Sequence, residues 1–309
     1  MQTILGSGGA IGVELAKALP KYTDKIRLVS RNPKKVNPGD ELFSADLTDA
    51  EAVDRAVNGS EIAYLTAGLV YKTNVWQKSW PVIMNNVIQA CLKHKCKLVF
   101  FDNIYMYDGT VLNPITETTP INPPSEKGKV RAKIVKMIED ARQKGLVALI
   151  ARAADFYGPS IKNVSVLTET VIKPLSEGKT ANWLGDDTKK HSYTYVPDAG
   201  KATSLLGNTH EAYGEVWHLP TAKNPPTGKE WVEMIAAELG VKPKYRVVGK
   251  GMVKFMGLFM SIMKESVEMM YQNDRDYVFD SSKFESKFDF KPTPYLKGIQ
   301  EIVSTDYNK

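Results

Sequence analysis

The stretch Gln2-Thr3-Ile4-Leu5-Gly6-Ser7-Gly8-Gly9-Ala10-Ile11-Gly12 decides the fold. A short apolar strand runs directly into glycines at 6, 9 and 12, and these open a helical pattern. A glycine turn lets backbone N–H groups approach a pyrophosphate at the positive end of a helix, and Gly12 permits close helix-on-strand packing. Such a turn can also exist with no ligand. Placed as the first element of a strand–helix–strand unit, it favours dinucleotide binding by Gly6, Ser7, Gly9, Ala10, Ile11 and Gly12.

Working outward, buried strands are expected near 2–5, 26–30, 62–67, 98–101 and 147–151, alternating with helices near 10–18, 50–57, 82–93 and 129–142. This alternation predicts a Rossmann-type, doubly wound parallel α/β sheet. After Gly158 and Pro159 the alternation fades into a segment richer in Met and aromatics, with a helical pattern over 249–272 and a terminal helix near 296–304. The expected organisation is a dinucleotide-binding domain over 1–158 and a smaller C-terminal substrate lobe over 159–309, with segments near 195–220 returning to the first domain. The proline-rich loop from Asp108 to Glu126 has a length typical of lids.

The 309 residues are 43% hydrophobic and 25% charged, ordinary for a globule with ample core. The net charge of +6 suits anionic small ligands and gives little support for nucleic acid. The longest apolar stretch, near Gly251 to Met263, is interrupted by Lys254 and too short to span a bilayer, so no membrane partner is expected. Met1 leads almost directly into a strand, without the pattern of a secretory signal. Two cysteines, Cys91 and Cys96, give no disulfide framework, which suits a cytoplasmic location. They should diverge on a helix around His94, and no metal site is expected.

An acid commonly ends the second strand of an NAD site. Ser30 and Arg31 stand there instead, followed by Lys34 and Lys35, and a guanidinium attracts a 2′-phosphate, so NADP(H) is expected over NAD(H). The same cations could form a solvated loop. Asp46, before Leu47, could accept from an adenine amino group or cap the helix starting near Asp49.

Several motifs in order carry a resemblance: the glycine loop, Asp46-Leu47, Ala67-Gly68, Tyr105-Met106-Tyr107-Asp108-Gly109, Thr116-Glu117-Thr118-Thr119-Pro120, Arg152-Ala153-Ala154-Asp155-Phe156-Tyr157-Gly158-Pro159 and Tyr195-Val196-Pro197-Asp198. Over nearly its whole length the chain resembles the extended short-chain dehydrogenase/reductases, which include nucleotide-sugar epimerases and dehydratases. The resemblance implies that Gly6, Gly9, Gly12, Arg31, Asp46, Ala67 and Gly68 line a cofactor site and that Lys190 and His191 face substrate. It also implies a homodimer paired through helices, including 129–142. The family's Tyr-x-x-x-Lys is replaced: Lys127 stands in the tyrosine's place and Arg131 in the lysine's. Asp102-Asn103-Ile104 ends the strand that carries Ser or Thr in the family. The chain is similar to atypical members labelled epimerase/dehydratase.

Lys127 and Arg131, four apart, share a helix face, and adjacent cations disfavour each other's charge, which would make Lys127 a readier proton donor. Arg131 would hold ribose hydroxyls or a substrate anion. Alternatively both are surface cations on a helix whose core face is Val130, Ile134, Met137, Ile138 and Ala141. Tyr105 is the alternative acid, with Tyr107 structural. Asn103 could donate to a substrate oxygen or simply form a turn. Beyond Gly68, Tyr71, Trp76 and Trp80 could shape a substrate pocket, although Trp76 and Trp80 at i and i+4 also suit core packing. The expected function is an NADP(H)-dependent oxidoreductase of the epimerase, dehydratase or reductase kind, acting on a small carbonyl or sugar-nucleotide substrate with a non-standard proton donor. The alternative is a catalytically silent dinucleotide-binding redox sensor or interaction module.

Overall fold

The computed structural model describes residues 1–161 and 165–307, in two compact units. The first unit comprises Met1–Met106, Glu126–Ala153 and Pro197–Leu219, and the second Tyr107–Ser125, Ala154–Val196 and Pro220 onward. The proline-rich loop, placed by sequence in the first domain, therefore belongs largely to the second unit.

The first unit is built on a seven-stranded parallel sheet. Its strands are β1 (Gln2–Leu5), β2 (Ile26–Ser30), β3 (Glu41–Ser44), β4 (Ile62–Leu65), β5 (Lys97–Asp102), β6 (Ala148–Arg152) and β7 (Val216–His218), in the spatial order β7-β6-β5-β4-β1-β2-β3. β1, β4 and β6 are buried along their whole length, which favours apolar side chains, and their buried polar residues Gln2, Thr3 and Arg152 are matched by Asn208, Ser60 and Asp102. At the edge, β3 is largely exposed and carries no apolar run. Leu5 pairs in register with Val29 on one side and Leu65 on the other. Strand order reverses between β1 and β4, which opens a crevice at their carboxyl ends.

The helices are α1 (Ala10–Ala18), α2 (Ala50–Val57), α3 (Thr73–His94), α4 (Glu126–Arg142) and α5 (Val196–Gly207). α3 packs against α2 and α4, and α5 approaches α1 at Gly200, where an added Cβ would lie 2.6 Å from the Glu14 carbonyl carbon. α3 starts nine residues before the expected 82, with Pro81 inside it, because Trp76 and Trp80 supply buried anchors for the turns before the proline. It ends at Lys95 in the left-handed region (φ 53°), which turns the chain back so that the Cys96 N–H donates to the Cys91 carbonyl at 2.9 Å. Sequence spacing had the cysteines diverging; the structure brings them together as buried free thiols. Cys96 beside it and then burial push the Cys91 thiol well up. His94 bonds Asp54 at 2.9 Å.

The second unit contains two two-stranded parallel sheets, 155–157 with 193–195 and 181–184 with 245–248. Its core gathers Tyr157, Tyr193, Tyr195, Trp231 and Tyr295. The helix Gly228–Glu238 starts with a capping box in which Thr227 and Glu230 satisfy each other's backbone N–H. The 249–272 pattern is not one helix: it divides into Lys250–Met256, Ser261–Ser266 and a 3₁₀ turn Val267–Gln272, with the break at Gly257–Met260.

Gly6 has φ +102°, and an added Cβ there would lie 2.4 Å from the Ala67 Cα, whereas Gly8 has open space around its Cα. Gly6→Ala should therefore destabilise the chain by about 1–3 kcal/mol from backbone strain alone, while Gly8→Ala should stay within about 0.5 kcal/mol. Urea denaturation of the two variants checks the contrast.

Candidate active site

The glycine loop lies at the reversal point of the sheet. The Gly6 and Ser7 N–H groups both donate to the Val29 carbonyl, at 2.9 and 3.1 Å, which ties the loop to the end of β2. Gly12 closes on the same loop: an added Cβ would meet the Gly6 oxygen and the Ser7 Cα at 2.8 Å. Gly9 precedes α1 with no side-chain cap, and the first turn holds no acid, so the helix's positive end keeps its donors for a ligand. Ile11 is buried as packing. The Ser7 Oγ is buried without a hydrogen-bond partner. An orphaned hydroxyl beside open glycines and an uncapped helix start fits a dinucleotide's phosphates, with Gly6, Ser7, Gly9 and Ala10 as the groups that would hold them.

Arg31 leaves the end of β2 exposed, as are Lys34 and Lys35. The loop behind them is ordered by buried Asp40, whose Oδ2 accepts from the Val36 and Asn37 N–H groups at 2.9 and 2.6 Å. Asp49, not Asp46, caps α2, accepting from the Glu51 and Ala52 N–H groups. Asp46 instead accepts from the Thr48 N–H and hydroxyl at 2.9 and 2.7 Å. Those two bonds, then the charge of Arg31, hold its carboxyl below the usual carboxylate range. Leu47 is buried, and its carbonyl accepts from Asn86 at 3.1 Å.

Neither Lys127 nor Arg131 lies at the surface. Lys127 is 0% exposed and Arg131 3%. Both fall on the stripe 127, 131, 134/135, 138, which runs beside Val130 and widens the buried face of α4 beyond the one expected. Arg131 donates from Nε (2.7 Å) and Nη2 to Asp102 Oδ1, and Arg152 donates from Nε to Oδ2 at 3.4 Å. Arg131 also lies 4.6 Å from the Trp80 ring centroid and 5.0 Å from that of Phe100. Its guanidinium is thus held inside the unit rather than offered to ribose or to a substrate anion. Lys127 donates from Nζ to the Thr73 Oγ1 at 2.9 Å and sits 4.6 Å from the Tyr71 ring centroid.

Half-buried Tyr71 meets Trp76 edge-on at 5.8 Å, and half-buried Tyr105 stacks on the same indole at 6.2 Å. The Trp76 Nε1 is buried without a partner. The Asn103 Oδ1 accepts from the Tyr105 N–H at 3.0 Å, the turn-forming bond, which leaves its amide NH₂ as the donor a substrate could use. Tyr107 is buried in the second unit. Lys190 is exposed there, but His191 is 2% exposed, bonded through Nε2 to Asp155 Oδ2 at 3.0 Å and stacked on Tyr277 at 4.5 Å. Burial among aromatics makes the His191 ring a packing element of that unit, contrary to its expected role facing substrate. The sequence reading missed Asp102 and Thr73. An acid ending an otherwise apolar strand, and a hydroxyl opening the helix after β4, were the available signals.

Fold and site together define a dinucleotide-binding protein of the doubly wound α/β class. The chain belongs to the NAD dependent epimerase/dehydratase family, whose model matches residues 3–219. No curated protein matches the chain. Among solved structures it is similar to UDP-glucose 4-epimerase of Thermus thermophilus in complex with NAD, at 18% identity over 99% of this chain and 98% of that one, TM-score 0.80. It is also similar to a double mutant of DesIV, a dTDP-glucose 4,6-dehydratase of Streptomyces venezuelae with NAD and DAU bound, at 18% identity over 98% and 96%, TM-score 0.80. The UDP-N-acetylglucosamine 4-epimerase of Bacillus cereus follows at 17% identity over 97% and 94%, TM-score 0.76. At these identities the likeness is one of fold.

Removing Arg131 leaves the buried Asp102 carboxylate with Arg152 alone. Arg131→Met should destabilise the chain by about 3–5 kcal/mol; Asp102→Asn, which takes the carboxylate from both guanidiniums, should cost as much or more, and the double variant should recover part of the summed loss. A double-mutant cycle by chemical denaturation measures the recovery.

Proposed function

We propose that the chain is an NADP(H)-dependent reductase of the epimerase/dehydratase family, acting on a carbonyl carbon of a nucleotide sugar or another small carbonyl compound. The observation that carries this reading is the buried Lys127 ammonium bonded to the Thr73 hydroxyl, in the unit that holds the glycine loop. A bound nicotinamide would supply a hydride to the carbonyl carbon. The residues then have to deliver one proton to the carbonyl oxygen. Lys127 cannot reach a substrate from its buried position, whereas Thr73 is half-buried. In the proposed relay the Thr73 hydroxyl gives its proton to the developing alkoxide and takes one from Lys127, and after product leaves the proton is restored to Lys127 through the half-buried Thr73 hydroxyl. Arg131, held by Asp102, positions Lys127 one helical turn away. Tyr71 and Trp76 shape the substrate face and Asn103 donates its amide hydrogen, while Tyr105 remains the competing acid.

At the other end, Arg31, with Lys34 and Lys35, would take the 2′-phosphate that separates NADP from NAD. The nucleotide-sugar substrate class is drawn from the names of the similar structures. Lys190, exposed in the second unit, would offer a charge to a substrate anion. A second reading, a silent dinucleotide-binding module, draws on the confinement of Arg131 and Lys127 inside the unit.

Oxidation of NADPH followed by absorbance against a panel of 4-keto nucleotide sugars and simple carbonyls separates the two. Lys127→Met and Thr73→Val should each slow turnover by roughly 100-fold or more while NADPH affinity holds. If Tyr105→Phe alone abolishes turnover, the phenol is the donor and the relay is wrong. Bound NADPH with no turnover of any carbonyl supports the silent module.

A further inference from the structure

We infer that residues 239–264 of the second unit form a docking surface for an anionic lipid bilayer. This goes beyond the reductase reading and does not depend on it. The helices Lys250–Met256 and Ser261–Ser266 are joined by a turn and are apolar on two sides. The inner side is satisfied: Val253 joins Val248 and Met270 in a small core, with Met256, Met263 and Val267 packed against it. The outer side presents Met252, Phe255, Leu258, Phe259, Met260 and Ile262 to solvent, Leu258 at 74% and Phe259 at 79% exposure. The apolar side chains run on across the turn: Met252 and Phe255 share a face of the first helix at i and i+3, and Phe255 meets Phe259, in the connecting turn, edge-on at 5.7 Å. An apolar surface of this kind, on a hairpin that already has its own core, marks an interaction site rather than incomplete packing.

Charge selects the occupant. From Leu239 to Lys264 the chain has six cations, Lys242, Lys244, Arg246, Lys250, Lys254 and Lys264, and no acid, Glu238 and Glu265 flanking the stretch. All six are exposed. A second copy docking through a two-fold axis would bring these cations against their own equivalents, because an isologous interface uses the same patch twice. An anionic lipid surface meets both features at once: lysines and arginine at headgroup depth, Phe, Leu, Met and Ile at the acyl boundary. Apart from the lysines, the outward side chains supply almost no hydrogen-bonding groups, which an acidic protein partner would use for orientation and lipid does not need. The mode is peripheral: among the described residues no helix is long and apolar enough to cross a membrane.

Flotation of the full chain with phosphatidylcholine vesicles, with and without about 30% phosphatidylserine, tests the surface. The chain should float with the anionic vesicles, and salt should weaken the association. Phe255→Ser/Phe259→Ser should lower vesicle partition by about tenfold or more with an unchanged melting temperature. Lys250→Glu/Lys254→Glu should abolish the preference for phosphatidylserine. Failure to float with either vesicle overturns the proposal, as does binding that survives both variants. A dimer of the wild-type chain that becomes monomeric in the Phe255/Phe259 variant would overturn it in favour of a chain-to-chain contact.

Discussion

A carboxylate buried at the end of β5, between two guanidiniums, sets the geometry of the first unit's carboxyl edge. Asp102 and Arg152 are register partners on β5 and β6, so their ion pair lies across the two strands. Arg131 brings α4 to the same carboxylate. Burying such charges is costly unless each is matched, and here ring faces of Trp80 and Phe100 complete the enclosure of Arg131. One turn earlier on α4, Lys127 is consequently placed over Tyr71 and against Thr73, on the segment that leaves β4 beside Gly6. The glycine loop, the exit of β4 and the start of α4 are thus fixed in one unit by packing that requires no ligand.

The backbone plan was legible because parallel strands buried on both faces are mostly apolar, with polar residues mainly at their ends, and because Gly6 has to sit where a Cβ would strike Ala67. Edge strand β3 left a weaker trace, since an exposed strand needs no apolar run. Pattern also failed where tertiary contacts outweighed local signals. The helix expected over 82–93 begins at Thr73, because Trp76 and Trp80 are buried deeply enough to extend α3 back across Pro81. The 249–272 apolar periodicity read as one helix because both sides of the hairpin are apolar, although only one faces a core.

Charge was the hardest feature to read. A lysine and an arginine four apart on a helix look solvated, and nothing local reveals that a carboxylate waits 29 positions away at Asp102. His191, which only the resemblance placed toward substrate, is enclosed by Asp155 and the ring of Tyr277. Distant partners decide such residues, and spacing along the chain does not carry them. Arg31 is exposed at the end of β2, as both readings of its loop, solvated or phosphate-binding, require.

The proposed function rests on the glycine loop and Arg31 holding NADP(H). Calorimetric titration of cofactor-stripped protein with NADPH and with NADH tests it directly. The account predicts micromolar binding of NADPH and much weaker binding of NADH, with the difference lost in Arg31→Glu. Equal or tighter binding of NADH would contradict the role given to Arg31, and binding of neither nucleotide would contradict the site itself.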